Sequence, residues 1–582
     1  MALSPLDWGV ILLYLAASIA IGLWFSKRGS GSMAEYFVAG RDVTWWLAGV
    51  SMVATTFAAD TPLVVSAIVR SKGLQGNWYW WSSVMGGVLC VYFFARLWRR
   101  ANLITDAEFM ELRYHGAAGT FLRGFYAFFR SVVCNAIVMG WVILAMYKIV
   151  FVLLGWPKGP SVWGLVAVAV VYIFFSGLWG VLATDFFQFI LAMTGCIILA
   201  GMVLVDAGGP HALIAKAVAA CQAAPASHPQ SAVVASDQLA NIFPNFGSSP
   251  VAVVTFFAFL FLQWWQSGQG DGFLAQRLFS CKDEKHSLLA VLFYNFLHYA
   301  LRPWPWIIVG LGSLIYFPNL ADPETAYPLM MIKFLPNGLR GMLVAGFLAA
   351  FMSTISTHIN LGASYMVSDL YKRFLVKDAP EKHYVWASRA SILVMTALAG
   401  LACLLMRSVY SAWLLASALM AGPAFIVLLR WYWWRINAWS EIAALVSALL
   451  LALGLANSSF LAGDDYYAFR LALIIGVCTA VALIATFLTK PEPEEHLEKF
   501  FRRVRPAGWW GAVAAKCADV KRMKIGREEF VSWGLTVVSI YLALFGLGWL
   551  VMGRYIQGAV GLACALFLIQ VILKRIDRME WT

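Results

Sequence analysis

The sequence predicts an all-α polytopic membrane protein, and three observations carry that reading. The 582-residue chain is 61% hydrophobic and only 13% charged, whereas soluble globular chains are usually about half apolar and about a quarter charged. The apolar excess is cut into runs of roughly 18 to 30 residues between short polar loops, and about 20 apolar residues in a helix cross the hydrocarbon layer. Basic residues gather on alternate loops. The runs are too long for barrel strands, which leaves helices as the structure that satisfies its own backbone groups in lipid.

About 15 spans follow from this criterion. They begin near Val10, Trp45, Tyr79, Phe121, Val162, Phe186, Val251, Leu288, Gly338, Val385, Ala412, Ile442, Leu471, Trp533 and Gln557. The first has Asp7 before it, no basic leader, and "SKRG" rather than a small-residue cleavage site after it. It reads as a retained span and not as a signal peptide. The loop from about Asp206 to Pro250 is Ala/Ser/Pro-rich and is expected to be weakly structured. The segment from about Lys490 to Glu529 is too short for a kinase or nucleotide-binding domain. Its "EEHLEKFFRRVRP" reads as an amphipathic helix lying on the membrane surface. Nine cysteines show no metal-type spacing.

A net charge of +13 would suit nucleic acid, but the placement of the charges argues for a lipid bilayer and against nucleic acid. With the N-terminus outside, the basic clusters fall on one side: Lys27/Arg28/Arg41, Arg96/Arg99/Arg100/Arg113, Arg277/Lys282/Lys285, Lys372/Arg373/Lys377/Lys382 and Arg430/Arg435. Arg502/Arg503/Arg505/Lys521/Arg522/Lys524 and Lys574/Arg575/Arg578 continue the pattern. This positive-inside bias predicts a multi-pass protein of the cell (inner) membrane with a cytoplasmic C-terminus.

Four places are unusual for plain spans. "FMSTISTHIN" sets Ser353, Thr354, Ser356 and Thr357 in two adjacent stripes on one side of a helix. Such hydroxyls either let helices pack closely and bond back to carbonyls, or supply hard oxygens to a small cation. The second span, "GVSMVATTFAADTPLVVSA", has poor helix material at its centre. It is either a proline-kinked span or a broken helix whose carbonyls face an ion. Asp185, in "GVLATDFFQFILAM", stands at the start of the sixth span, as an N-cap or as a functional acid. The seventh span runs into "FLQWWQSGQGDGFLAQR", where three glycines suggest a second interruption. The two interrupted spans are separated as an inverted repeat of five helices requires.

With these pieces assembled, the sequence resembles bacterial members of the sodium:solute symporter family, which includes sodium/galactose, sodium/proline and sodium/sialate transporters. The resemblance spans nearly the whole chain. It rests on "YFVAGRDVTWWLAGVSMVA", "GVLATDFFQ", "LAAFMSTISTHINLGASYMVSDLYKRF", "RWYWWRINAWSE" and "LEKFFRRVRP" taken together. It implies the leucine-transporter fold: two inverted five-helix repeats, with one extra N-terminal and about four extra C-terminal helices. The chain then divides into 1–44 (first helix and loop), 45–206 (first repeat), 207–250 (external loop) and 251–434 (second repeat). Two accessory helices at 435–489, a basic cytoplasmic segment at 490–530 and two last helices with a tail at 531–582 complete it.

Position by position, the resemblance implies a principal sodium site at the carbonyls of Ala54, Phe57 and Ala350 and the hydroxyls of Ser353 and Thr354. It implies a second site at Asp185, Ser356 and Thr357, with Ser353 shared. Sodium would be co-transported, and no other cofactor is expected. The chain departs from the sugar branch, because "QWWQSGQGDGF" lacks that branch's asparagine and tyrosine arrangement. Polar candidates for the solute are Thr56, Asp60, Gln263, Gln266, Gln269 and Asp271, each of which could instead satisfy broken backbone. Arg130 and Arg302 could grip a carboxylate, or pair with an acid or with carbonyls freed by Pro303 and Pro305. His358 and Asn360 are read as interhelical hydrogen-bonders. The expected function is sodium-coupled uptake of a small polar organic solute by alternating access. The rivals are a transporter-like sensor and a proton-coupled symporter. Without HExxH, GxSxG or a clustered acid pair, an enzyme is not expected.

Overall fold

Runs this apolar close their own hydrogen bonds, and the structure, a computed structural model, is built of helices throughout its described residues. It describes residues 3–26, 37–175, 178–223, 239–245, 247, 250–456, 458, 460–461 and 466–581. In chain order the helices are α1 (Pro5–Ser26), α2 (Trp45–Thr56), α3 (Asp60–Lys72), α4 (Leu74–Ala101), α5 (Glu108–Arg113), α6 (Gly116–Leu154), α7 (Lys158–Phe175) and α8 (Leu178–Ala207). There follow α9 (Pro210–Ala223), α10 (Pro250–Phe261), α11 (Phe273–Ser280), α12 (Glu284–Asn295), α13 (Pro303–Tyr316), α14 (Ala326–Phe334), α15 (Leu339–Ser364) and α16 (Glu381–Leu405). The chain ends through α17 (Val409–Ala421), α18 (Ala424–Tyr432), α19 (Ala438–Ala456), α20 (Tyr467–Leu488), α21 (Glu494–Val504), α22 (Gly511–Lys516), α23 (Arg527–Val551) and α24 (Tyr555–Asp577).

Every span start read from the sequence falls on one of these helices or at its first turn. Among the described residues, nine helices are long and apolar enough to cross a membrane, or up to eleven if each of two bent pairs is one span. The remaining apolar helices are shorter, such as Lys158–Val171 and Val253–Gln266.

Two interruptions shape the centre. α2 and α3 meet at an angle of 57°. Pro62 has no N–H to give, so the turn before it cannot close in the helical pattern. Phe57 N–H still donates to Val53 and Ala54, and the Thr61 hydroxyl takes the Thr56 carbonyl at 3.2 Å. The second break runs from a tight turn at Gln263–Ser267 through Gly270 and Gly272, both at positive φ, into α11. Against both lies α15, whose residues from Leu343 to Ser364 are all buried. Its N-terminus is capped from α1, because the Asp7 carboxylate accepts from the N–H groups of Gly338 and Gly341 at 2.7 Å each.

Four expectations are corrected. The loop after Asp206 holds α9, which buries Leu213 and Ala217; residues 224–238 lie outside the described residues. Asp185 is no N-cap, since α8 begins at Leu178 and the acid sits two turns inside it. The amphipathic α21 does not lay its apolar face on lipid. Leu497, Phe500, Phe501 and Val504 are buried in protein, with Phe500 stacked on Trp510 at 5.4 Å. A protein surface rich in aromatic rings offers that face a better-packed partner than a headgroup layer does.

The fourth concerns the basic clusters, several members of which are not surface charges. Arg113, Arg277 and Arg430 are fully buried. Arg113 closes the end of α18 by donating to the carbonyls of Arg430, Trp433, Trp434 and Ile436. Near it, Glu111 of α5 accepts from Arg123 of α6 and from Arg373. Burial acts to raise the Glu111 carboxyl, but the hydrogen bonds from Arg373, Arg123 and Thr120 outweigh it and hold it at about 2. The depressed value makes these bonds stabilising above the ordinary carboxylate range, and lost only as pH falls through about 2.

Truncating Phe500→Ala should cost about 3–5 kcal/mol, the usual penalty for a fully buried aromatic. A clear drop in the melting temperature of the detergent-purified protein checks this. An α21 that merely rested on lipid would leave that temperature unchanged.

Candidate functional site

The hydroxyl ladder of α15 faces protein on both sides, and each rung has a definite partner. Thr354 Oγ1 donates to the Thr55 carbonyl at 2.8 Å and to the Ala350 carbonyl at 3.1 Å. The broken end of α2 is thereby joined to α15. Ser353 turns the other way, donating to Asp185 Oδ1 at 2.6 Å. Thr357 Oγ1 lies 3.1 Å from Thr55 Oγ1. Ser356 bonds back to the Ser353 carbonyl at 2.9 Å. Ala54 and Phe57, whose carbonyls the family resemblance implies as further sodium ligands, stand at the same broken end, Phe57 being the first residue past α2.

Asp185 is fully buried and accepts a second hydroxyl, that of Ser51, at 2.5 Å. An unpaired carboxylate in a membrane interior is costly. The compensating charge is Arg277, which the sequence reading had placed in a loop cluster and which is 0% exposed. Its Nε and Nη2 each donate to Ser51 Oγ at 3.2 Å, and Nη2 also reaches Thr357 Oγ1 at 2.8 Å. Gln276 Oε1 accepts from Nη1 at 2.8 Å, and Gln276 in turn donates to Asn360. Ser51 therefore bridges a buried anion and a buried cation. One signal for Arg277 exists in the sequence: a single charge inside the otherwise weakly polar "FLAQRLFS".

Beside this layer lies a cavity of about 340 Å³, lined by Thr56, Arg130, Asn135, Gln266, Asp271, Tyr294, His358, Tyr365 and Ser417 among mainly apolar neighbours. Few convergent polar groups on an otherwise apolar wall is the usual character of a small-molecule site. Arg130 and Asp271 form an ion pair at 3.1 Å on its wall. Gly272 makes the room: a Cβ there would meet Arg130 Nη2 at 2.7 Å, on a backbone already at φ +63°. Arg130 stands in the π-helical stretch Phe129–Cys134 of α6, the kind of bulge that concentrates at functional sites. The Gln266 side-chain oxygen is buried and has no hydrogen-bond partner among the described residues. His358 Nδ1 lies 2.5 Å from Asn135 Oδ1, the interhelical role expected of it. A second chamber of about 220 Å³, lined by Tyr79, Trp80, Gln263 and Trp413, shares Trp141, Gln266, Ala416 and Ser417 with the first.

Thr56, Gln266, Asp271 and Arg130 thus line the main cavity, and Gln263 lines the second chamber. The other candidates line neither chamber, although Gln269 lies in a small adjoining pocket with Arg130, Gln266 and Asp271. Gln269 accepts from Arg430 at 3.1 Å and from Trp431 at 3.4 Å. Asp60, the first residue of α3, accepts from Trp413 Nε1 at 3.0 Å. Arg302 lies outside both chambers and donates to the Val53 carbonyl at 3.3 Å, the Thr56 hydroxyl at 3.2 Å and the His298 ring. It secures the end of α2.

A model of the sodium:solute symporter family matches residues 36–450. The chain belongs to that family. It is 25% identical over 477 residues to a sodium/glucose cotransporter of Vibrio parahaemolyticus, covering 78% of this chain and 85% of that one. Mouse sodium/glucose cotransporter 1 is 24% identical over 553 residues, covering 85% and 80%. Human sodium/myo-inositol cotransporter 2 is 24% identical over 480 residues, covering 78% and 70%. Among solved structures, a sodium-coupled sialic acid symporter in a substrate-bound outward-open state superposes with a TM-score of 0.67 at 20% identity. That match covers 84% of this chain and 99% of the other. The fold is that of the leucine-transporter type. Family membership makes this chain a transporter and not an enzyme, with sodium as the co-transported ion.

Gly272→Ala should destabilise by about 1–3 kcal/mol through strain at φ +63° together with crowding of Arg130. In an Arg130→Ala background the same change should cost less, because the clashing group is gone. Melting temperatures of the two single variants and the double variant give the comparison.

Proposed function

We propose that the protein couples inward sodium flow to uptake of a small polar organic solute, a sugar, amino acid, sialate or carboxylate, by alternating access. The observation that carries this reading is the contact between Thr354 and the Thr55 carbonyl, which brings the hydroxyl ladder of α15 against the broken end of α2. Sodium sits there on the carbonyls of Ala54, Phe57 and Ala350 and the hydroxyls of Ser353 and Thr354. The Thr354 hydroxyl hydrogen, which now points at the Thr55 and Ala350 carbonyls, turns away when the ion takes its lone pair, while Ser353 can keep donating to Asp185. Asp185, with Ser353, Ser356 and Thr357, forms the second ion position, and Arg277 beside it sets how strongly that position attracts a cation.

The solute occupies the cavity next to this layer. Thr55 and Thr56 are consecutive: one gives its carbonyl to the α15 contact, and the other lines the cavity. An ion that orders the end of α2 therefore orders one wall of the solute site. The coupling is reciprocal, since each ligand favours the conformation the other needs. The membrane potential adds about 2.3 kcal/mol per charge per 100 mV. In this reading the N-terminus is outside and the C-terminus cytoplasmic, residues 45–206 and 251–434 are the inverted repeats, and the second chamber is the outer vestibule.

Sodium chloride should raise the melting temperature of the purified protein where potassium chloride does not, because an ion bound only by the folded state stabilises it. Ser353→Ala combined with Thr354→Ala should remove most of that increment while expression holds. Unchanged sodium stabilisation in the double variant overturns the site. Solute accumulation in vesicles driven by a proton gradient alone, without sodium, would overturn the coupling ion.

A further inference from the structure

At the end of the bundle away from the second chamber, α4, α23, α24 and the loop at Lys521 enclose a cleft of about 350 Å³. Seven lysine and arginine side chains line it against three glutamates. Among the described residues, four of the seven cations have an acidic partner and three do not. Arg96 and Arg100 share one carboxylate, that of Glu284, at 3.4 and 2.7 Å. Lys521 pairs with Glu580 at 2.7 Å, and Arg575 pairs with Glu528. Glu529 accepts from the Gly526 N–H at 2.7 Å, at the start of α23. Among the described residues, no ion pair within 4 Å reaches Arg522, Lys524 or Arg578.

Cations of one sign in a concavity with low-dielectric walls focus a positive potential, and they repel one another until an anion enters. The geometry suits phosphate. Guanidinium forks offer paired donors to phosphate oxygens, and a lysine adds a point charge. The cleft also lies where charge gives way to apolar surface. Phe530 and Val531, next to the cleft residues Glu528 and Glu529, are 57% and 38% exposed, and Leu573 on α24 is also exposed. Basic pockets between membrane helices are a recurrent setting for phosphorylated headgroups.

We propose that this cleft is a binding site for a phosphate-bearing anion, which ties the α23–α24 pair to α4 of the transport core. The phosphate comes either from an anionic lipid headgroup or from a soluble phosphate, and the two are separable. In one arm, the full-length protein is unfolded thermally in nanodiscs of phosphatidylglycerol and of phosphatidylcholine. In the other, inorganic phosphate is titrated against chloride at matched ionic strength in a neutral detergent. A rise in the melting temperature of the wild type in the first arm assigns the lipid, and in the second a soluble phosphate. The triple variant Arg522→Ser, Lys524→Ser, Arg578→Ser removes exposed side chains that form no ion pair among the described residues. Its apparent affinity in the responding arm should fall roughly a hundredfold, the combined effect of three basic groups near an anionic surface. Two outcomes overturn the site: no response of the wild type in either arm, which needs no variant to read, or an equal response of the triple variant.

Discussion

A broken helix inside a membrane must find partners for the backbone groups it releases, and that constraint organises the centre of this protein. The carbonyls at the end of α2 are met one by one. Phe57 N–H takes those of Val53 and Ala54, Thr354 takes that of Thr55, and the Thr61 hydroxyl takes that of Thr56. Arg302 adds a guanidinium to the Val53 carbonyl and the Thr56 hydroxyl. No water or lipid is needed to complete this set. Phe57 and Thr61 are local partners, whereas Thr354 and Arg302 come from distant helices, so the set is complete only in the assembled bundle.

The buried charges follow from the same economy. Asp185 and Arg277 stand on separate helices and meet through Ser51, which accepts from one and donates to the other. Removing one charge would leave its counterpart buried and uncompensated, a situation that costs several kcal/mol in known cases. Thr357 joins the same group through Arg277 and Thr55. The hydroxyl ladder, the broken helix and the charge pair are thus one connected network of contacts, which ends at Thr55, the residue before the Thr56 wall of the cavity.

The sequence revealed the membrane helices well, because lipid demands one property, apolarity over span length, that is visible locally. It also revealed the two interruptions, because proline and paired glycines disturb helices whatever surrounds them. It revealed less of the site. Thr56, Gln266, Asp271 and Arg130 come together as cavity wall. Gln269 and Asp60, equally polar and equally close to the breaks, and Arg302, beside Pro303, are held by Arg430, Trp413 and the end of α2. Nothing in their spacing separates the two sets, since both lie beside interrupted helices. Ser51 passed unnoticed as one more small residue of a membrane helix.

By itself the sequence determined the helical class, the position of the breaks and the presence of an oxygen-rich stripe at residues 353–357, all properties of short stretches of chain. Which groups face that stripe was decided by tertiary structure alone. Arg277 reads as a loop charge until α11 is packed against α2 and α15, and α21 reads as a lipid-surface helix until Trp510 covers its aromatic face. The physical reason is shared: a charge or an apolar face states its need in the sequence, but only the packed fold supplies the partner that meets it.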